Sequence, residues 1–211
     1  MRHQSVFLRI AFLACISMPA LLLAAACYEK PQSPLFGARQ LLLVIADADS
    51  SSQAIMGRFA RDDGRWRMLD SWPAAIGKNG LGWGLGLHRD EDRVPGEPVK
   101  REGDNKSPAG MFALPRALGY APSDSVRCGL PYVQATPDMI GVDDVSSEYY
   151  NQVINFREKG LDPENLPSHE DMRRGDDLYK YVIVIGHNLP EPKPGAGSCI
   201  FLHLWNGPGS H

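Results

Sequence analysis

Apolar residues along this chain fall into short blocks bounded by glycine, proline or aspartate, which predicts strands far more often than helices. Gln40-Leu41-Leu42-Leu43-Val44-Ile45-Ala46-Asp47 reads as a buried strand. Ala54 to Arg61 and Arg65 to Asp70 read as two more, with Asp63-Gly64 between them as a hairpin turn whose residues tolerate positive φ. Alternation places Trp66, Met68 and Asp70 on one face, so this opening block is expected to be a β-meander. Tyr132 to Val142 and Tyr179 to Gly186 read as further strands. The stretch Cys199-Ile200-Phe201-Leu202-His203-Leu204-Trp205 puts Cys199, Phe201, His203 and Trp205 on one face and aliphatic residues on the other. Apolar faces on both sides predict a central strand, and one that delivers a histidine to a glycine-rich loop. That histidine is either tied to a backbone carbonyl in the core or does chemistry.

Two segments carry a helical period instead. Ser146 to Lys159 places Tyr149, Val153 and Phe156 along one side, with Tyr150 and Ile154 adjacent and Asp143 or Asp144 as the cap. Ser168-x-x-Asp171 has capping-box spacing for a second, short helix, with His169 exposed on it. Glycine at 77, 80, 82, 84 and 86 fits close strand packing or a loop, because no Gly-Lys-Ser/Thr follows to cradle phosphate. His88 to Pro98 reads as a solvated loop. With 21 glycines and 17 prolines in 211 residues, the expectation is a mainly β (α+β) chain with one or two helices.

Residues 1–26 have the form of a cleaved secretory signal. Arg2 and Arg9 begin it, Ile10 to Leu23 form an apolar run, and Ala24-Ala25-Ala26 precede a cut. Cys27 follows directly, so it is either an acylated lipoprotein cysteine attaching the chain to a membrane or simply the first mature residue. Either way the protein is expected to be exported, to the periplasm or cell envelope of a bacterium. Without the leader, 20 basic side chains face 25 acidic ones, a balance of −5 that gives no reason to expect nucleic acid as a partner. Residues 27–39 read as a linker and 40–211 as one domain.

Cys128 and Cys199 are the other mature cysteines. Neither has metal-site spacing, so no zinc is expected, but a disulfide between them is compatible with an oxidising compartment. Four strand residues separate Cys199 from His203 by ~13 Å, too far for a thiol–imidazole pair. Cys128 stands in a loop-like stretch and stays open as a nucleophile for a different thiol hydrolase. Asp143-Asp144 is read as a helix cap in preference to an acid pair or metal site. The 179–186 and 198–205 strands, joined by a short Pro/Gly-rich segment, would form a hairpin. His187-Asn188 would then lie at its loop end and His203 at the far end.

Two motifs carry a family resemblance. Lys100-Arg101-Glu102-Gly103-Asp104-Asn105-Lys106-Ser107-Pro108-Ala109-Gly110-Met111-Phe112 resembles a signature of one branch of the L,D-transpeptidase (YkuD-type) family. Gly197 to Trp205 resembles the histidine strand of the same catalytic domain, and Tyr150-Asn151 and Gly186-His187-Asn188 match further positions. The resemblance implies an L,D-transpeptidase-like β-sandwich of mixed sheets, no cofactor and no metal. It also implies peptidoglycan stem peptides as partners and a cysteine that forms a thioester with them for transfer to an amine. His203 matches the general base, whose third partner in the family is commonly a backbone carbonyl. His187, Asn188, Lys100, Arg101, Asp104 and Tyr150 match positions that bind substrate or support the site. The Thr/Ser-x-Gly-Cys motif that carries the nucleophile in the family does not occur within residues 1–211. It is expected just after His211, which makes the domain incomplete at its C-terminal side and the 211 residues inactive alone. The alternatives are an L,D-carboxypeptidase, with water as acceptor, and a non-catalytic cell-wall binding module of the same fold.

Overall fold

Short strands dominate the computed structural model, which describes residues 33–207; the proposed leader, Cys27 and Pro208 to His211 lie outside the described residues. The meander is present. β1 (Gln40–Ile45), β2 (Gln53–Asp62) and β3 (Arg65–Ala75) form an antiparallel sheet in that order. Asp63 (φ 45°) and Gly64 (φ 74°) make the tight turn that their sequence called for. The shared face of Trp66, Met68 and Asp70 is not observed. The pairing passes from Arg58 with Asp70 to Phe59 with Met68, so Leu69 is an extra residue that flips everything beyond it. Met68 thus faces the Phe59 side, while Asp70 pairs with Arg58 (2.5 Å) on the other. Nor is β1 a buried strand: Leu43, Val44 and Ile45 are exposed at the sheet's edge.

β4 (Leu81–Trp83) and β5 (Ser107–Ala109) pair in parallel and draw the glycine-dense run against the 100–112 motif. A Cβ on Gly82 would stand 2.8 Å from the Lys100 backbone nitrogen, so glycine serves close packing there.

The core lies between two sheets. One has the order β12-β11-β6-β7, made of β6 (Ala117–Gly119), β7 (Tyr132–Gln134), β11 (Tyr181–Val184) and β12 (Phe201–His203). Its β6–β7 pairing is parallel and the other two are antiparallel. The second, antiparallel, has β8 (Met139–Val142) between β10 (Glu170–Asp171) and β9 (Gln152–Asn155). Leu118, Met172, Tyr179 and Val182 are buried between the sheets, with Met139, Val153 and Phe201 packed on them. The opposite face of β8 and β9 buries Ile140, Val142 and Ile154 under Tyr149, Phe156, Leu161 and Leu166. Alternation along β8 and β9 therefore feeds two apolar layers. Tyr132 to Val142 is two strands, broken at Pro137, with Met139 N–H turning back to the Thr136 carbonyl (3.1 Å).

Neither expected helix forms; helical content among the described residues is limited to three short 3-10 turns. In 146–159, local side chains offer the backbone other partners. Asp144 Oδ1 accepts from the Ser146 N–H and Oγ–H (2.9 and 2.8 Å), and Asn155 Oδ1 accepts from the N–H groups of Arg157 and Glu158. Asn151 is left-handed at φ 62°. Val153 then goes to one core layer and Tyr149 and Phe156 to the other, so the helical period was a coincidence of two strand faces. Asp144 does cap, but it caps a turn. At 168–171, Glu170–Asp171 pairs as β10 with Gly141 and Ile140, and His169 is half-buried. The 201–203 strand is an edge among the described residues, not the central strand expected; His203 and Leu204 are exposed.

Leu118 is 2% exposed at the centre of the inter-sheet core. Its replacement in Leu118→Ala removes buried methyl groups and leaves a cavity, with an expected loss of about 2–5 kcal/mol. Urea unfolding followed by tryptophan fluorescence measures it.

Candidate functional site

The hairpin of β11 and β12 sets the site. Val182 opposes His203 and Val184 opposes Phe201, so His203 stands at the end far from the 185–200 connection. At the near end, Gly186 to Cys199 is a loop in which nearly every matched polar residue is engaged.

His187 is 1% exposed. Its Nδ1 accepts from the Leu85 N–H (3.2 Å), so Nε2 carries the proton and donates to the Ala196 carbonyl (2.9 Å). Burial, with the Lys100 charge nearby, pushes its pKa below the ordinary histidine value, and the hydrogen bonds offset part of this. Asn188, equally buried, donates to the Lys193 and Gly197 carbonyls and accepts from the Lys193 N–H. Asn151 donates to the carbonyls of His187 and Asn188 and accepts from the Cys199 N–H (2.9 Å). Tyr150, 3% exposed, donates to Glu102 Oε2 (2.5 Å) and accepts from the Gly197 N–H (3.2 Å). Burial first, and the Glu102 carboxylate next, push its phenol up to about 12. Ser198 Oγ–H donates to the same Glu102 oxygen (2.7 Å), and Glu102 N–H donates to the Gly195 carbonyl (2.9 Å).

The 100–106 loop is locked from within. Lys100 Nζ, 6% exposed as a residue, pairs with Asp104 Oδ1 and donates to the Arg101 carbonyl (both 2.6 Å). Asp104 also accepts from the Arg101 and Lys106 N–H groups. Burial raises the Asp104 carboxyl, but Lys100 and the two backbone donors together outweigh it and hold the group below its usual range. Of the motif's charges only Arg101 reaches outward; it is exposed and its guanidinium makes no hydrogen bond or ion pair among the described residues. Six of the seven matched positions thus gather around one loop, and His203 does not join them.

His203 instead sits beside Tyr179, edge to face, with ring centroids 4.9 Å apart. Its Nδ1 is 2.6 Å from the Leu204 carbonyl. A carbonyl only accepts, so Nδ1 carries the proton and Nε2 presents a lone pair at the exposed edge. Tyr179 donates through its hydroxyl to Glu170 Oε1. Burial raises the Glu170 carboxyl, while the Tyr179 hydroxyl, Arg174 and His203 pull it back. Glu102, Ser198, Tyr179 and Glu170 were not singled out from the sequence. Glu102 lies inside the 100–112 motif, which was the available signal; Glu170 gave only a false capping pattern.

Cys199 is left-handed (φ 50°), which breaks the extended chain ahead of β12. Burial, and then the carboxylates of Glu170, Asp143 and Glu102, raise its thiol well above the ordinary value. Cys128 and Cys199 are both free thiols, so the disulfide between them is not formed. Among the described residues no group of three or more His, Cys, Asp or Glu side chains could hold a metal ion. Asp143 Oδ1 is buried there without a hydrogen-bond partner.

Comparison of the chain with protein-family models, with curated proteins and with solved structures finds no match.

Two outcomes are expected. Asp104→Asn strands the Lys100 ammonium and costs about 3 kcal/mol at neutral pH. A depressed carboxyl stabilises the fold above its unfolded pKa, and that stability is lost as pH falls through the folded value. The gap between wild type and variant therefore narrows in acid, below about pH 4, as denaturation at several pH values reads out. For the thiols, iodoacetamide labels exposed Cys128 in the native protein and reaches Cys199 only after unfolding; peptide mass spectrometry locates the adducts.

Proposed function

We propose that this chain is the histidine-bearing part of an exported L,D-transpeptidase, acting on peptidoglycan stem peptides with a cysteine encoded after position 211. The observation that carries the reading is His203: exposed at a strand edge, with Nδ1–H given to a backbone carbonyl and Nε2 left free. That is the form of base the family uses. The mainly β architecture, with one mixed sheet packed on an antiparallel one, supports the L,D-transpeptidase-like sandwich as its fold.

In this reaction Nε2 takes the thiol proton. The thiolate attacks the carbonyl carbon of the third stem residue. The amide bond to the terminal D-amino acid breaks, and the imidazolium returns its proton to the departing amine. A thioester remains. An acceptor amine, deprotonated by Nε2, attacks it, forms the new amide and restores the thiol. Water in place of the amine gives trimming. The oxyanion needs backbone N–H donors, which a glycine-rich stretch can present. The buried His187 stays neutral and hydrogen-bonded at both nitrogens, so it supports the fold of the site and leaves proton transfer to His203. The leader sends the protein to the cell envelope, with Cys27 as either an acylated or a free first residue.

The test is to extend the reading frame past the His211 codon and express the complete product. A carbapenem or a tetrapeptide stem is expected to give a covalent thioester adduct by mass spectrometry, on a cysteine after residue 211. His203→Gln is expected to slow adduct formation by about 100-fold or more. A product with no cysteine in the next dozen positions, or an adduct rate indifferent to His203, sinks the reading. Residues 1–211 alone are expected to give no adduct.

A further inference from the structure

The contact between His203 and Tyr179 has consequences for which imidazole nitrogen faces outward. Tyr179 is 5% exposed and anchored on three sides. Its hydroxyl donates to Glu170 of β10, its ring packs edge-on to Phe201 (5.9 Å), and the Arg174 guanidinium lies over it at 5.1 Å. Phe201 and His203 are two apart on β12, so one fixed ring braces both side chains of that face. His203 is itself exposed and, among the described residues, its ring is held by the Leu204 carbonyl and this aromatic contact.

We propose that Tyr179, tethered by Glu170, is a positioning residue that holds the His203 imidazole with Nδ1–H on the Leu204 carbonyl and Nε2 outward. This rests on the reading of His203 as the base, and deepens it by naming what orients that base. A hydrogen bond from an exposed side chain to the carbonyl of the next residue is worth little by itself, about 1 kcal/mol or less. Without a wall the ring can turn about χ2, exchange Nδ1 for Nε2, and present a protonated nitrogen where a lone pair is required. The edge-to-face contact closes off that rotation. The Glu170 tether matters because it keeps the Tyr179 ring in one plane.

The structure supplies an internal standard. Nε2 carries the proton in His187, where Nδ1 accepts from a backbone N–H. In His88, Nδ1 accepts from the Met111 N–H (2.9 Å) and Nε2 donates to the Gly84 carbonyl (2.9 Å). His203 has the opposite tautomer.

The experiment labels the exported chain with 15N-histidine and records nitrogen shifts at a pH where the imidazoles are neutral, with His203→Gln to assign the signals. His203 is expected to be protonated at Nδ1, against Nε2 for His187 and His88. Tyr179→Leu is expected to bring the two His203 nitrogens toward averaged shifts while the His187 signals stay in place, which also reports that the variant is folded. Tyr179→Phe keeps the wall and loses the tether, and is expected to retain most of the wild-type pattern with broadened His203 lines. Glu170→Gln, which keeps an acceptor for the hydroxyl, is expected to leave it unchanged. If Tyr179→Leu folds and the His203 shifts do not move, or if His203 carries its proton on Nε2 in the wild type, the proposal is overturned. If Tyr179→Leu does not fold, Tyr179→Phe decides: unbroadened His203 lines count against the tether. None of these readings depends on thioester chemistry, so the tautomer result and the transpeptidase assignment fail separately.

Discussion

The loop at 193–199 has almost no apolar content with which to hold itself, and its position decides where the last strand runs. Gly195 and Gly197 are both at positive φ, and Cys199 is left-handed as well. Such a backbone is ordered only if its polar groups are taken up from outside. They are: Glu102, Tyr150, Asn151, His187 and Asn188, drawn from three distant parts of the sequence, supply the partners. Each bond contributes about 1 kcal/mol net, but leaving any one of these buried groups unpaired would cost about 1–3 kcal/mol. The interdependence makes the loop rigid, and its rigidity passes directly into β12.

The same polar chemistry gives three histidines different jobs. His187 and His88 are ringed by backbone donors and acceptors at both nitrogens, and packed in a ladder of edge-to-face rings through Phe112. Glycine at 84 and 110 makes room for them, since a Cβ at either place would fall inside an imidazole's contact distance. Burial makes charging His187 unfavourable, and its pKa is lowered accordingly. His203 has one nitrogen satisfied and one free, at an exposed edge. Burial and satisfaction, more than the surrounding motif, separate the supporting histidines from the candidate base.

What could be read in the sequence follows from how local its cause is. The Asp63-Gly64 turn, the meander and the β11–β12 hairpin depend on nearest neighbours, and the residues that build them were legible. The placing of His187-Asn188 and His203 at opposite hairpin ends came from strand counting and holds. The helix at 146–159 failed because Asp144, Ser147 and Asn155 bind backbone groups that a helix needs, and because two faces of a strand can imitate one face of a helix. The bulge at Leu69 has no sequence mark, and it reversed the face of Asp70. Lys100 and Asp104, matched as substrate-binding or site-supporting positions, are ion-pair partners inside the fold; a charged residue can be buried when its opposite lies four positions away in the right turn. Glu170 carried no local signal, because its partner, the hydroxyl of Tyr179, comes from nine residues further on.

A last constraint concerns charge near the candidate base. Burial, and then the carboxylates of Glu170, Asp143 and Glu102, keep the Cys199 thiol protonated, which makes it a poor source of thiolate. On the Tyr179 side His203 lies near Glu170, whose carboxyl burial keeps raised, and near Asp176, which Arg174 holds below its usual range. With Nδ1 turned to the Leu204 carbonyl, Nε2 is the only nitrogen left to meet an incoming sulfur. The edge of β12 leaves His203 Nε2 open among the described residues, whereas the Cys199 thiol, half-buried near Gly141 and Phe201, is held protonated.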